Sequence, residues 1–140
     1  TREEFQELCI VRRLNIGDTI SVFDCNDEDL NDFLLNDANL YRNALLSVTY
    51  VVEDKQTNDI LAYFSLSNDK ISISDFESKT EFNRFRKHKF ENEKRLRSYP
   101  AIKIGRLGIS KNAQHQSIGT YLLEFIEDYF IIDNKSGCRF

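Results

Sequence analysis

The stretch Ala101-Ile102-Lys103-Ile104-Gly105-Arg106-Leu107-Gly108-Ile109-Ser110 decides how this chain is read. Its apolar residues fall on even positions at Ile102 and Ile104, then on odd positions at Leu107 and Ile109. A strand repeats every two residues, so one face stays buried through this slip only if a residue is inserted near Gly105 or Arg106, as in a β-bulge. A bulge also bends the strand and leaves backbone groups unpaired. The same pattern fits a central strand with both faces partly buried, where phase carries little meaning. On pattern alone the two readings stand even.

Forward of this strand, residues 111–117 form a polar loop. Ile118, Tyr121, Leu122, Phe125, Ile126, Tyr129 and Phe130 then recur at helical spacing and define an amphipathic helix. Gly137 reads as its stop, and Cys138, Arg139 and Phe140 as the opening of another strand. The loop and helix start, Gln114-His115-Gln116-Ser117-Ile118-Gly119-Thr120, place free backbone N–H groups at the positive end of a helix dipole, a setting that stabilises phosphate. Gly119 permits close approach of a ligand, and Ser117 or Thr120 can add a hydroxyl contact or cap the helix. An ordinary N-cap explains the same residues. The glycine-rich patterns G-x-x-x-x-G-K-[ST] and G-x-G-x-x-G are absent, which disfavours ATP and NAD sites of those kinds.

Upstream, residues 9–14 read as a first strand and residues 15–18 as a turn. Asn26 is placed to cap a helix with Asp27, Glu28 and Asp29 in its first turn; Leu30, Phe33, Leu34, Ala38, Tyr41 and Leu45 form its apolar stripe. Val48, Tyr50, Val51 and Val52, then Ile60, Ala62, Phe64 and Leu66, form a β-hairpin about residues 54–59. Residues 74–98 turn charged around Phe76, Phe82, Phe85 and Phe90, an irregular or partly helical excursion.

With 140 residues, 41% of them hydrophobic, the chain supports one core and one domain over residues 1–140. No apolar run approaches the ~20 residues of a membrane span. Cys9, Cys25 and Cys138 are far apart and there are two histidines, so neither a disulfide framework nor a metal site is encoded, and a reducing, cytoplasmic setting is expected. The three cysteines read as small apolar groups rather than nucleophiles. A net charge of −4 argues against a surface uniformly built for nucleic acid. Arg84, Arg86, Lys87, Lys89, Lys94, Arg95 and Arg97 nevertheless cluster against only Glu91 and Glu93, and His88 adds to this run. They form either an RNA-contacting patch or a solvated face of mixed charge.

The segment Tyr99-Pro100-Ala101-Ile102-Lys103-Ile104-Gly105-Arg106-Leu107-Gly108-Ile109-Ser110, followed by Gln114 to Leu123, resembles the acetyl-CoA-binding core of the GNAT family of N-acetyltransferases. The segment Phe23-Asp24-Cys25-Asn26-Asp27-Glu28-Asp29-Leu30-Asn31-Asp32-Phe33-Leu34, with Thr49-Tyr50-Val51-Val52 and Ala62-Tyr63-Phe64-Ser65-Leu66-Ser67, resembles the toxin-like branch found in bacterial toxin and antitoxin pairs. The resemblance implies an α/β fold with a mixed, largely antiparallel sheet and a bulged fourth strand that splays from the fifth. By resemblance, backbone groups of Leu107, Gly108 and Ile109 line the pantetheine arm of acetyl-CoA. The loop Gln114, His115, Gln116, Ser117, Ile118 and Gly119, completed by Thr120, holds its pyrophosphate, with Ser117 standing where the family pattern has its first glycine. His115 stands between contacting this cofactor and being an exposed loop residue.

Family members continue to a helix bearing a tyrosine that commonly acts as general acid. The resemblance therefore implies a chain truncated at its C-terminus, with the acid beyond Phe140. Residues 101–110 contain no Asp or Glu to serve as base, so the catalytic residues are left unassigned. The implied activity is acetyl transfer to a primary amine, with aminoacyl-tRNA as a candidate acceptor contacted by Arg84, Arg86 and Lys87. An antitoxin and a second copy of the chain are candidate partners. The competing reading is a non-catalytic GNAT-fold module acting through RNA or protein partners.

Overall fold

Val51 and Val52 on one strand and Ala62, Tyr63 and Phe64 on the next are all fully buried. Successive strand residues point to opposite faces, so the sheet is covered on both sides. The computed structural model describes residues 2–89, 96–133, 135–138 and 140. Strands β1 (Cys9–Arg13), β2 (Val48–Asp54), β3 (Ile60–Ser72) and β4 (Ser98–Ile109) pair in the order β1-β2-β3-β4. The expected sheet was mixed and largely antiparallel; these four strands are antiparallel throughout.

One face carries α1 (Arg2–Leu8) and α5 (Ile118–Ile126), the latter continued by a π-helical stretch (Glu127–Ile132). Ile118, Leu122, Ile126 and Phe130 pack there with Phe5 onto Val52, Ala62, Phe64 and Leu66, which confirms the amphipathic stripe. On the other face, α2 (Glu28–Asp32), a second π-helical stretch (Phe33–Asp37) and α3 (Ala38–Asn43) cover Val51 and Tyr63 with Phe33, Leu34 and Ala38. The result is three layers, helix on sheet on helix, with apolar contact on both sheet faces.

Four local expectations need correction. Asn26 does not cap α2: its backbone is left-handed, and the extended Asp27 caps instead, its side chain accepting from the Leu30 N–H at 3.1 Å. Leu45 is not on the helical stripe, because the chain leaves α3 at Ala44 and Leu45 turns left-handed and 84% exposed. β3 does not end near Leu66 but runs to Ser72, held along its length by β4 from Ala62↔Ile109 to Ser72↔Ser98. Cys138 and Phe140 are not assigned to a strand, although the Ile102 N–H donates to the Phe140 carbonyl at 2.8 Å.

The charged excursion contains α4 (Lys79–Lys89), anchored by buried Phe82 against the rings of Phe76 and Tyr99. Phe90, Glu91, Glu93, Lys94, Arg95 and Arg139 lie outside the described residues, as do the side chains of His88 and Lys89. Among the described residues, no helix is long and apolar enough to cross a membrane.

Candidate cofactor site on strand β4 and helix α5

Pairing along β3 and β4 runs Phe64↔Leu107 and Ser65↔Arg106, then jumps to Leu66↔Ile104, leaving Gly105 as the inserted residue. The even tie in the sequence pattern therefore resolves to a bulge. Its effect is visible in the packing, since Ile102, Leu107 and Ile109 all meet the core cluster beneath α5 despite their opposite parity. β4 pairs with β3 on one side only. Before the bulge its other edge bonds Phe140; from Arg106 to Ile109 that edge has no strand neighbour among the described residues.

Gly108 sits where no side chain fits: a Cβ there would lie 2.9 Å from Cε1 of Tyr63 and 3.4 Å from Sγ of Cys25. Tyr63 is fixed in turn by donating its hydroxyl hydrogen to the Leu30 carbonyl at 2.6 Å. Burial pushes the Tyr63 hydroxyl well above the usual phenol range.

Beyond β4 the chain is strapped down. The Ser110 N–H donates to the Leu61 carbonyl at 2.8 Å and the Lys111 N–H to the Asp24 carbonyl at 2.9 Å. Gln114 Nε2 donates to the carbonyls of Cys25 (2.9 Å) and Ile109 (3.1 Å). Its side chain thus ties the end of β4 to the segment before α2. Lys111 Nζ lies 3.2 Å from the Asp24 carboxylate, which also accepts from the Asn26 N–H and the Asn31 amide. These bonds, the backbone one foremost, hold the exposed Asp24 carboxyl below the usual carboxylate value.

Ser117, at the N-cap of α5, is left-handed (φ 58°, ψ 22°) and makes no side-chain capping bond. Its hydroxyl therefore does not cap the helix as one sequence reading allowed. A non-glycine residue in this region costs roughly 1–2 kcal/mol, which explains why the position suits glycine. The Tyr121 N–H donates back to the Ser117 carbonyl at 3.3 Å, so the amides of Ile118, Gly119 and Thr120 precede the first intrahelical donor. A Cβ on Gly119 would meet nothing within 4 Å, so the space beside Gly119 is open. His115, Gln116, Ser117 and Thr120 are exposed, whereas Ile118 is buried and anchors the helix start.

Of the candidate RNA contacts, Arg84 and Lys87 are exposed. Arg86 is turned inward, donating to the Leu96 carbonyl at 2.9 Å and to Asn83 Oδ1, with its guanidinium 4.6 Å from the Phe82 ring centroid.

Sequence reading missed Arg106. Its guanidinium carbon lies 3.9 Å from the Phe33 ring centroid and 5.1 Å from that of Tyr41. The available signal was a cation next to the phase slip, in a strand whose other cation is Lys103.

No protein-family model and no curated protein matches the sequence. The structure is similar to that of a KacT mutant, with a TM-score of 0.66 and 23% identity over 85% of this chain and 66% of that one. It is similar to AtaT complexed with acetyl-methionyl-tRNAfMet, with a TM-score of 0.65 and 19% identity over 84% of this chain and 65% of that one. It is also similar to an AtaT mutant toxin bound to the C-terminus of the antitoxin AtaR and acetyl-CoA, with a TM-score of 0.57 and 21% identity over 84% and 62%. The fold is therefore the GNAT fold, shared with these structures. The chain spans just under two thirds of the length of these structures.

Proposed function

We propose that this protein transfers an acetyl group from acetyl-CoA to the α-amine of an aminoacyl-tRNA. The observation that carries the reading is the bare, bulged edge of β4 leading, through a strapped loop, into the open amides at the start of α5. Such a path fits a ligand with amide groups along an extended arm and phosphates at its end. Backbone groups of Leu107, Gly108 and Ile109 would take the arm. The loop from Gln114 to Gly119, with Thr120, would take the pyrophosphate, the Gln114 side chain acting as strap and the backbone amides and exposed side chains as contacts.

Acetyl-CoA supplies the acetyl group as a thioester, whose carbonyl carbon bonds to the amine nitrogen as the C–S bond breaks and the thiol leaves protonated. The chain's own contribution is positioning: the bulge leaves Gly105 out of the β3 ladder, and Gly108 on Tyr63 holds the strand in place. The neighbouring folds support the acceptor assignment, since AtaT has been captured with acetyl-methionyl-tRNAfMet and, as a mutant, with acetyl-CoA and AtaR. An antitoxin segment and a second copy of the chain are the proposed protein partners, and the cytoplasm the proposed location. Arg84 and Lys87 remain proposed RNA contacts, with Arg86 contributing charge from its folded position.

The test is mass-spectrometric detection of acetylated methionyl-tRNA, paired with a thermal melt. Acetyl-CoA at about 100 times its dissociation constant should stabilise the fold by ~2.7 kcal/mol. A shift without transfer favours the non-catalytic module; neither shift nor transfer overturns the cofactor reading.

A further inference from the structure

Arg106 follows the bulge directly, and its side chain leaves β4 on the face opposite Leu107 and Ile109. Those two residues are packed into the core beneath α5, so at this point of the strand it is the α2–α3 face that presents a charged group. The guanidinium sits over the Phe33 ring and beside Tyr41, whose ring stands at 80° to that of Phe33, so the two rings form a corner around the cation. Among the described residues, no carboxylate or carbonyl accepts from its N–H groups, and none of its nitrogens is buried. A guanidinium confined by an aromatic corner, with its N–H groups unpaired, is available for bidentate recognition of an oxyanion.

The sheet beneath it changes character at the same row. Directly opposed residues share a face, so Val51, Tyr63 and Gly108 form one row and Thr49, Ser65 and Arg106 the next. The first row is apolar. The second carries hydroxyls from Ser65 and Thr49, both buried, and Thr49 Oγ1 has no hydrogen-bond partner among the described residues. A cation at the end of a polar row, on the cofactor strand but with its side chain on the sheet face rather than along the bare edge, is where a second substrate would be read.

We propose that Arg106 is an acceptor-specificity residue whose guanidinium binds a phosphate oxygen of the acceptor, in the same terminal nucleotide that carries the amine to be acetylated. The proposal rests on the acetyl-transfer reading above. In an aminoacyl-tRNA the phosphate in reach is the 5′-phosphate of the terminal adenosine. The corner made by Phe33 and Tyr41 confines the guanidinium, and the bulge sets where on the strand it sits.

The experiment uses the full chain and two probes, adenosine 5′-monophosphate carrying a non-hydrolysable 3′-amide-linked methionine, and the same compound without its phosphate. Calorimetric titration should show the wild type binding the phosphorylated probe about tenfold or more tightly than the other. Arg106→Gln and Arg106→Lys should both abolish that preference while acetyl-CoA affinity stays within about twofold. Lysine keeps a charge over the rings but loses the fork, so full recovery of the preference in Arg106→Lys overturns the proposal. Unchanged preference in Arg106→Gln overturns it too, as does parallel loss of acetyl-CoA and probe binding, which would mark Arg106 as a packing staple. If the wild type fails to bind acetyl-CoA yet shows an Arg106-dependent preference, the transfer reading falls and the phosphate site stands.

Discussion

Gly108 lies so close over Tyr63 that even a methyl group would stand 2.9 Å from the ring. The ring cannot yield easily, because it is fully buried and its hydroxyl is bonded to the Leu30 carbonyl. Strand β4 is thereby seated on the α2–α3 layer at the point where its outer edge is bare.

Gly108→Ala is accordingly expected to destabilise the fold by about 1–3 kcal/mol through overpacking. Gly105→Ala should cost less, since its new methyl would meet only Ser65 Oγ at 3.3 Å. Chemical denaturation of the two variants gives the comparison, and an equal or inverted order would contradict the packing account.

Ser117 is the strained entry to α5. Ser117→Gly should leave stability within about 1 kcal/mol, the relief of left-handed strain being offset by the freedom glycine adds to the unfolded chain. Ser117→Val, β-branched and so poorly suited to positive φ, should cost roughly 1–2 kcal/mol. Thermal melts of the pair would show whether this one residue carries the strain.

At Gly119 stability and ligand binding should separate. Because nothing stands within 4 Å of a Cβ there, Gly119→Phe should melt near the wild-type temperature yet lose the stabilisation by acetyl-CoA. Loss of both together would place Gly119 in the core instead.

Gln114→Ala removes two bonds of the strap between β4 and the segment before α2. A loss of about 1–3 kcal/mol is expected if both carbonyls are left unsatisfied, together with weaker acetyl-CoA binding. Titration calorimetry below the melting range isolates the second effect.

Acidification has a defined sign. The carboxyls of Asp24 and Asp18 are held below their unfolded value chiefly by backbone N–H donors, from Asn26 and Asn15 respectively. Their contribution is fully present above the unfolded aspartate pKa near 3.9 and is lost as the pH falls through their lower folded values. Asp24→Asn should flatten the decline of melting temperature between about pH 4 and pH 2; an unchanged slope would assign the decline elsewhere.

Much of this architecture was legible because it depends on short-range pattern. The stripe from Ile118 to Phe130, the hairpin about residues 54–59 and the phase slip at Gly105 are periodicities, and periodicity reports which face is buried. What escaped depends on partners far along the chain. The extension of β3 to Ser72 is held by pairing with β4, and its Asn68-Asp69-Lys70 segment has no strand signature of its own. Gln114 on Cys25 spans 89 positions, and the stacking of Arg106 on Phe33 joins two elements that local reading treats separately. Asn26 and Asp27 are both good caps, and only the backbone turn at Asn26 chooses between them.

The inserted Gly105 also governs which changes of chain length this molecule tolerates. Surface loops such as residues 54–59 can gain or lose a residue at modest entropic cost. Removing one residue from β4 at the slip would restore a plain two-residue repeat and rotate one half of the strand by half a turn. Either Ile102 or the Leu107 and Ile109 pair would then leave the α5 face. Arg106 would swing with the second half, away from Phe33 and Tyr41. In this segment the residue count itself is under constraint, and a deletion scan across residues 98–109 should be intolerant even where individual side chains can be replaced.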